Sequence, residues 1–279
     1  MNKKISLVFM VAWLSSRFGW KIKQFAKVWP NDSTLIEYSM DQALKSNFSE
    51  IIFIVGKMTE QAFKEKFWDN YKWIPVKYAK QSFDENERDR PWGTVDAVCS
   101  AKDLINNPFV VCNWDDIYWE NSFKILYNHL QNSDEMATLW YILWNVIPEQ
   151  WTTNRWIFGI TEDNYVDSIT EMIWISKDTL SDFWLKKDDL CSMNIFWLNK
   201  KTLNQLDNIL TNFKLENKGN RKIECYLPVE LSNIIKIEKN KMKIYSTPDR
   251  RLWITNPEDE GIVKKQIEEI EKNKNVENL

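Results

Sequence analysis

Residues 5–30, ISLVFMVAWLSSRFGWKIKQFAKVWP, decide the fold of this chain. The stretch begins with an apolar, β-branched run, Ile5 to Ala12, which is typical of a buried strand. A loop with small residues and cations follows, and a strand that ends in such a loop can direct backbone N–H groups and cations at a phosphate. Tryptophans stand at Trp13, Trp20 and Trp29, where a phosphate-binding loop needs glycine.

With glycine at those three positions the stretch becomes VAGLSSRFGGKIKQFAKVGP. In that form it resembles the signature of the sugar-phosphate nucleotidyltransferases, roughly AAG-x-G-(S/T)-R-(F/Y)-GG…KQ-(L/I)-x-x-VGP. It is not a Walker A loop, because no G-x-x-x-x-G-K-(S/T) is present. The resemblance extends over roughly residues 5–260.

The composition points in the same direction. The chain has 16 Trp and 6 Gly in 279 residues, whereas an average glycine content of about 7% would give roughly 20. Only Trp92, in RPWGT, stands where the family itself often has tryptophan. We hypothesise that the other fifteen represent UGA codons that mean glycine in the source, which would give 6 + 15 = 21 glycines. The alternative is a genuinely tryptophan-rich protein.

Bulk properties restrict the class of protein. The length allows one large α/β domain or two small ones, and a net charge of −3 gives no sign of a nucleic-acid surface. Four dispersed cysteines predict buried thiols in a reducing compartment. The apolar N-terminus could pass for a signal peptide, but we interpret it as the first strand. We therefore expect a cytoplasmic protein without a membrane segment.

The chain order predicts alternating strands and helices. Strands are expected at 5–12, 50–56, 76–81, 108–113, 136–147, 154–162, 165–176, 191–199 and 242–246, and helices at 35–46, 59–67, 94–105, 120–131, 201–213, 229–235 and 257–273. This order predicts a mostly parallel sheet with right-handed crossovers. The resemblance implies a Rossmann-like, three-layer α/β/α (GT-A-like) fold with a mixed central sheet. We expect one domain, with a nucleotide-binding half (1–135), a sugar-phosphate half (136–256) and a C-terminal helix (257–279).

The phosphate loop supplies the predicted catalytic groups. Nucleotidyl transfer is a displacement at the α-phosphorus of a nucleoside triphosphate, so positioning and charge neutralisation carry most of the catalysis. Arg17 offers a forked donor to the leaving pyrophosphate, and Lys23 matches the family's catalytic lysine. The backbone around the loop is predicted to hold the nucleotide, at Ala12, Trp13, Leu14, Ser15 and Ser16. The alternative is an ordinary strand-to-helix loop with surface cations.

Two carboxylates are predicted to bind Mg²⁺. NWDDIYW (113–119), with glycine for tryptophan, is similar to the family segment whose first carboxylate binds this ion, which makes Asp115 the first ligand. STPDRRLWITNPED (246–259) resembles the family's closing segment and offers Asp249 as the second ligand. The alternative for both residues is a solvated turn carboxylate.

The remaining motifs address the base and the sugar. Gln81 ends a strand and can pair with a pyrimidine edge through its amide, and Gly93 and Thr94 of RPWGT lie beside the base in the family. Val95 and Asp96 depart from the family pattern and leave the choice of base open. The resemblance places Trp156, Glu171 and Asn194 at the sugar phosphate; sheet packing is the alternative. His129 is expected to be a solvated residue on a polar helix.

These features predict a Mg²⁺-dependent nucleotidyltransferase that joins an NTP, UTP or dTTP favoured, to a sugar-1-phosphate and releases pyrophosphate. Two alternatives stay open. One is a cytidylyltransferase acting on a non-sugar phosphate such as an alditol, choline or methylerythritol phosphate, for which NPED (256–259) is a weak cue. The other is a catalytically inactive nucleotide- or sugar-phosphate-binding regulator. Small-molecule substrates are the expected partners, without nucleic acid or membrane and with a possible homo-oligomer.

Overall fold

The computed structural model describes residues 2–12, 23–27, 33–114, 116–149, 151–249 and 252–253, with 261, 264 and 265. Within them the strands are β1 Ser6–Met10, β2 Glu50–Val55, β3 Asn70–Tyr71, β4 Ile74–Lys80, β5 Phe109–Asn113, β6 Asp116–Ile117, β7 Met136–Ile142, β8 Thr153–Ile160, β9 Val166–Ile175, β10 Leu190–Ser192, β11 Ile195–Leu198, β12 Met242–Ser246 and β13 Leu252–Trp253. The helices are α1 Leu35–Leu44, α2 Glu60–Phe67, α3 Thr94–Ser100, α4 Glu120–Asn132, α5 Leu143–Val146, α6 Lys200–Glu216 and α7 Leu227–Glu238.

A mixed sheet forms the centre of the molecule. Its first half is parallel, in the order β4-β2-β1-β5, with β3 added antiparallel at the edge. The strand β11 lies antiparallel between β5 and β7, and β12 runs parallel to β7. Helices cover both faces, so the predicted Rossmann-like α/β fold is confirmed.

The apolar run at the start of the chain is buried on both faces of the sheet. Leu7 and Phe9 belong to one hydrophobic cluster, and Val8 and Met10 belong to the other. Because alternate residues of a strand point to opposite faces, a strand between two helical layers must be apolar at every position. This explains the unbroken run in the sequence.

Two predicted strands are interrupted. The strand predicted over 136–147 ends at Ile142, where α5 begins, because the N–H groups of Leu143 and Trp144 donate to carbonyls of the 186–189 loop. The strand predicted over 191–199 is divided into β10 and β11, because Asn194 between them has a positive φ of 55°. The break allows β10 to leave β5 and pair with β8.

Small differences occur elsewhere. The helix predicted over 94–105 ends at Ser100, and the short strands β3, β6 and β13 had no sequence signal. Most of the predicted helix at 257–273 lies outside the described residues. Among the helices that are described, none combines the length and apolar character that crossing a membrane requires.

All four cysteines are buried free thiols, as the sequence predicted. Burial raises the pKa of Cys99 to about 12, and the same cause raises the pKa of the Cys112 and Cys225 thiols. Thiols in such positions are protonated at neutral pH and unreactive.

The expectation for His129 is wrong. Its ring is only 9% exposed and packs edge-on against Trp197, with 5.1 Å between ring centroids. Nε2 lies 2.8 Å from the Glu135 carbonyl oxygen, which can only accept, so Nε2 carries the proton. Nδ1 then accepts from the Tyr245 hydroxyl at 2.8 Å. Helix α4 turns this residue inward, and its polar neighbours in sequence gave no sign of that.

Candidate active site

The carboxyl ends of the parallel strands meet at one edge of the sheet. Val11 and Ala12 follow β1, Gly56 follows β2, Gln81 follows β4, and β5 ends at Asn113. A Cβ on Gly56 would lie 2.5 Å from the carbonyl oxygen of Ala12, so glycine is what allows these two chain segments to approach. Ligands of open parallel sheets bind at this edge.

The KQF segment returns to the end of β1. Residues Lys23–Phe25 form a 3-10 turn, in which Gln24 is buried and donates its amide to the carbonyl oxygen of Val11 at 3.3 Å. The Phe25 ring packs on Phe63, with centroids 4.9 Å apart. The backbone of Lys23 is thereby held beside the strand end from which the predicted phosphate loop would follow.

Several predicted site residues lie outside the described residues. They are the loop residues Trp13, Leu14, Ser15, Ser16 and Arg17, and the predicted metal ligand Asp115. Their proposed roles therefore stay predictions.

The RPWGT segment is held against the second half of the chain. Gly93 has a φ of +100°, and a Cβ there would lie 2.5 Å from the carbonyl oxygen of Cys225. The Cys225 carbonyl accepts the N–H of Val95 at 3.1 Å, and the Thr94 hydroxyl accepts the N–H of Leu227, the first residue of α7, at 2.7 Å. Gly93 and Thr94 thus join two distant segments at the site edge.

A stacked pair fixes the loop before Gly93. The guanidinium of Arg88 lies over the Trp92 ring, 3.5 Å from its centroid, and Arg88 donates to the carbonyls of Arg90, Asn220 and Ile223. Desolvation lowers the pKa of Arg88, which nearby Asp96 partly offsets. Trp92 therefore has a structural role of its own.

Asp249 caps a helix. Its Oδ2 accepts from the backbone N–H of Ser122 at 2.7 Å and from the Ser122 hydroxyl at 2.8 Å, and its Oδ1 accepts from the Asn121 amide at 3.0 Å. These donors lie in the first turn of α4, where an anion is favoured. Three donors leave little of this carboxylate for a metal ion, so its direct fit to Mg²⁺ is poor in this arrangement.

The segment after Asp249 nevertheless returns to the predicted metal site. β13 pairs with β6, with Trp253 opposite Asp116. No group of three or more His, Cys, Asp or Glu side chains suited to a metal occurs among the residues that the structure describes.

The three predicted sugar-phosphate residues lie in a row. Trp156 is the register partner of Glu171 in β9 and of Ser192 in β10. Asn194 follows Ser192 by two residues, and its neighbour Ile195 is opposite Cys112, near the end of β5. The row therefore begins beside the carboxyl end of β5.

A cavity of about 680 Å³ opens at the same edge, between the end of β7, α5 and residues 247–249. Its lining includes Trp140, Trp144, Lys177 and Asp249. Lys177 forms an ion pair with Glu149 and lies over the Trp144 ring at 4.8 Å from its centroid. The volume suits a small ligand, and the sequence gave no signal for Lys177.

Comparison with known proteins agrees with this geometry. Residues 22–150 match the model of the nucleotidyl transferase family, and a search of curated sequences gave no match. Similar solved structures include a UDP-glucose pyrophosphorylase complexed with UDP-glucose (TM-score 0.66, 14% identity, covering 96% of this chain and 99% of that one). Another is the inositol-1-phosphate CTP transferase from T. maritima (TM-score 0.65, 12% identity, 93% of each chain).

A third similar structure is the CTP:phosphocholine cytidylyltransferase from Streptococcus pneumoniae (TM-score 0.60, 14% identity, covering 95% of this chain and 99% of that one). At these identities the structural likeness establishes the fold alone. Together with the family match, it supports a nucleotidyltransferase enzyme.

Proposed function

We propose that the protein transfers a nucleoside monophosphate from an NTP, UTP or dTTP favoured, to a sugar-1-phosphate and releases pyrophosphate. The observation that carries the proposal is the shared edge of the sheet. There the ends of β4 and β5 lie within the family match, and the row from Asn194 through Trp156 to Glu171 begins beside β5. A nucleotide and an acceptor phosphate can thus meet at one edge.

The chain's own residues divide the work. Backbone N–H groups of residues 13–16 hold the β- and γ-phosphates, Arg17 neutralises the leaving pyrophosphate, and Lys23 neutralises the α-phosphate. The acceptor phosphate oxygen attacks the α-phosphorus as the bond to the pyrophosphate oxygen breaks. Mg²⁺ would be held mainly by Asp115 and would supply charge neutralisation. Asp249 would contribute little to holding the ion, because its carboxylate is already engaged by α4.

The second candidate is a cytidylyltransferase for a non-sugar phosphate. Two of the similar structures are CTP-dependent enzymes for inositol phosphate and phosphocholine. An inactive regulator on the same fold is the third. Pyrophosphate release distinguishes them: UTP or dTTP with glucose-1-phosphate supports the first, CTP with phosphocholine the second, and thermal stabilisation by nucleotide without turnover the third.

We also propose that fifteen tryptophans are glycine in the natural protein. Support comes from the backbone: four tryptophans, Trp68, Trp73, Trp174 and Trp184, have φ between 50° and 65°, where a residue with a side chain costs about 1–2 kcal/mol. All four are at least 69% exposed, so no packing compensates. Trp197 adds a buried indole N–H that finds no hydrogen-bond acceptor among the described residues.

The intact mass of the protein from its source tests this hypothesis, since each exchange removes a large mass. Fifteen exchanges of tryptophan for glycine are expected, and a mass that fits the printed sequence would overturn the proposal. Activity is then assayed on two proteins, one as printed and one with glycine at every tryptophan except Trp92. Turnover is expected only in the second, and Asp115→Ala in that protein should abolish it.

A further inference from the structure

The amide of Gln81 is held by two acceptors. Its Nε2 lies 3.0 Å from the Gly93 carbonyl oxygen and 2.9 Å from Oδ2 of Asp96. Both side chains are buried, with Gln81 4% and Asp96 6% exposed. Gln81 follows β4 directly, at the edge where the nucleotide is proposed to bind.

Chemistry fixes which way this amide faces. A carbonyl oxygen and a carboxylate paired with a cation can only accept, so both contacts require the NH₂ group of the glutamine. That group has two hydrogens, and both are used. The remaining atom, Oε1, accepts no hydrogen bond from any described residue. It is also not one of the fully buried polar atoms that lack a partner, so it is open to contact from outside the protein. It is therefore the atom that Gln81 can offer to a ligand.

The acceptor Asp96 is itself held from the other half of the chain. Its Oδ1 accepts from the ammonium of Lys214, near the end of α6, at 2.6 Å. With one oxygen bound to Lys214, the other faces Gln81. The Gln81 amide is thus held by the Gly93 carbonyl and by Asp96, which lies 15 residues from Gln81. Asp96 is held in turn by Lys214, 118 residues further along the chain.

We propose that Asp96 is a positioning residue that, together with the Gly93 carbonyl, makes Gln81 an acceptor only, so that the site selects uracil or thymine over cytosine. The inference rests on the proposed nucleotide-binding function. Uracil and thymine present an N3–H donor to a lone acceptor. Cytosine in the same pose presents the N3 lone pair, which repels Oε1. Were the amide free to turn, its NH₂ would accommodate the cytosine N3 instead.

The test compares UTP, CTP and 3-methyl-UTP, in which a methyl group replaces the N3 hydrogen. The protein with glycine at every tryptophan except Trp92 is expected to favour UTP over both others by at least tenfold in kcat/KM. Asp96→Asn keeps the shape, but Lys214 holds the amide oxygen of the new side chain, so its NH₂ group faces the NH₂ group of Gln81 and displaces the Gln81 amide from the acceptor-only pose. The UTP/CTP ratio should then fall at least tenfold, while KM for the acceptor phosphate stays within about twofold.

Lys214→Met is the matched control. It breaks the same ion pair but leaves a carboxylate facing Gln81, so the UTP/CTP ratio should be retained. Equal use of UTP and 3-methyl-UTP, or an unchanged ratio in Asp96→Asn, would overturn the inference while nucleotidyl transfer stands.

Nucleotide binding gives a readout without turnover. If the protein turns over none of the acceptor phosphates, the same three nucleotides are compared by the rise in Tm that each causes on binding. A preference for UTP that Asp96→Asn removes would support the inference even though the proposed reaction fails. Absence of binding by all three would overturn both.

Discussion

The carbonyl oxygen of Cys225 lies where a side chain on Gly93 would have to be, 2.5 Å from an ideal Cβ. The two residues are far apart in sequence, and their contact joins RPWGT to the segment that leads into α7. Gly93 also has a φ of +100°, a conformation that residues with side chains rarely adopt.

Gly93→Ala is therefore expected to destabilise the protein strongly. Backbone strain of about 1–3 kcal/mol adds to the displacement of the Cys225 segment. Gly219→Ala is the matched control, because Gly219 has a φ of +87° but no atom within 4 Å of its added Cβ. The Gly219→Ala variant should lose only about 1–2 kcal/mol of stability, which is the cost of the backbone strain alone. Urea unfolding measures both, and equal losses would contradict the role of the close contact.

Replacing an exposed tryptophan by glycine should stabilise the chain as printed. Trp184 has φ 59° and ψ 23° and is 94% exposed, and Trp68 has φ 50° and ψ −130°. Trp184→Gly relieves about 1–2 kcal/mol of strain and loses about 0.5–1 kcal/mol to the greater freedom of the unfolded chain. A net gain of up to about 1.5 kcal/mol is expected from urea unfolding.

Trp92→Gly provides the contrast. This tryptophan stacks on Arg88 and packs edge-on against Phe213, so its loss should destabilise the protein by at least about 1 kcal/mol. If Trp184→Gly destabilised the chain as much as Trp92→Gly does, the backbone argument for glycine would not hold.

Variants of Asp249 separate capping from catalysis. Asp249→Ala removes three hydrogen bonds to the first turn of α4 and should cost about 0.5–2 kcal/mol of stability. Asp249→Asn keeps a capping oxygen and should retain most of the stability. If the carboxylate also binds the metal as the sequence predicts, Asp249→Asn should lose at least tenfold in kcat. Full turnover in Asp249→Asn would show that Asp249 caps α4 and does not bind the metal.

The burial of His129 leads us to expect that the stability of the protein depends on pH. Burial lowers the pKa of its imidazole below the usual 6.5, so the unfolded chain binds its proton at a higher pH than the folded chain does. Stability is thus complete above about pH 6.5 and declines as the pH falls through the lower folded value. Urea unfolding at pH 7 and pH 5 should show a smaller loss in His129→Gln than in the unchanged protein. An identical loss in both would assign the acid sensitivity to other groups.

The sequence by itself determined the alternation of strands and helices, and it predicted the edge of the sheet at which the site lies. The run Ile5 to Ala12 is apolar at every position, and only a strand buried on both faces requires that pattern. The motifs of the phosphate loop and of NWDDIYW indicated the nucleotidyl transferase family, even with tryptophan at glycine positions. These signals are local: each depends on side-chain periodicity or on a turn within a few residues.

The tertiary structure alone decided which distant groups meet. Lys214 reaches Asp96, Asp249 caps α4 at Ser122, and His129 turns inward to Tyr245. Each pair is separated by more than one hundred residues, and each residue taken alone has the sequence context of a solvated polar side chain. Packing of helices on the sheet removed water from these groups, and a buried polar group then requires a partner, whose identity depends on where the chain returns in space.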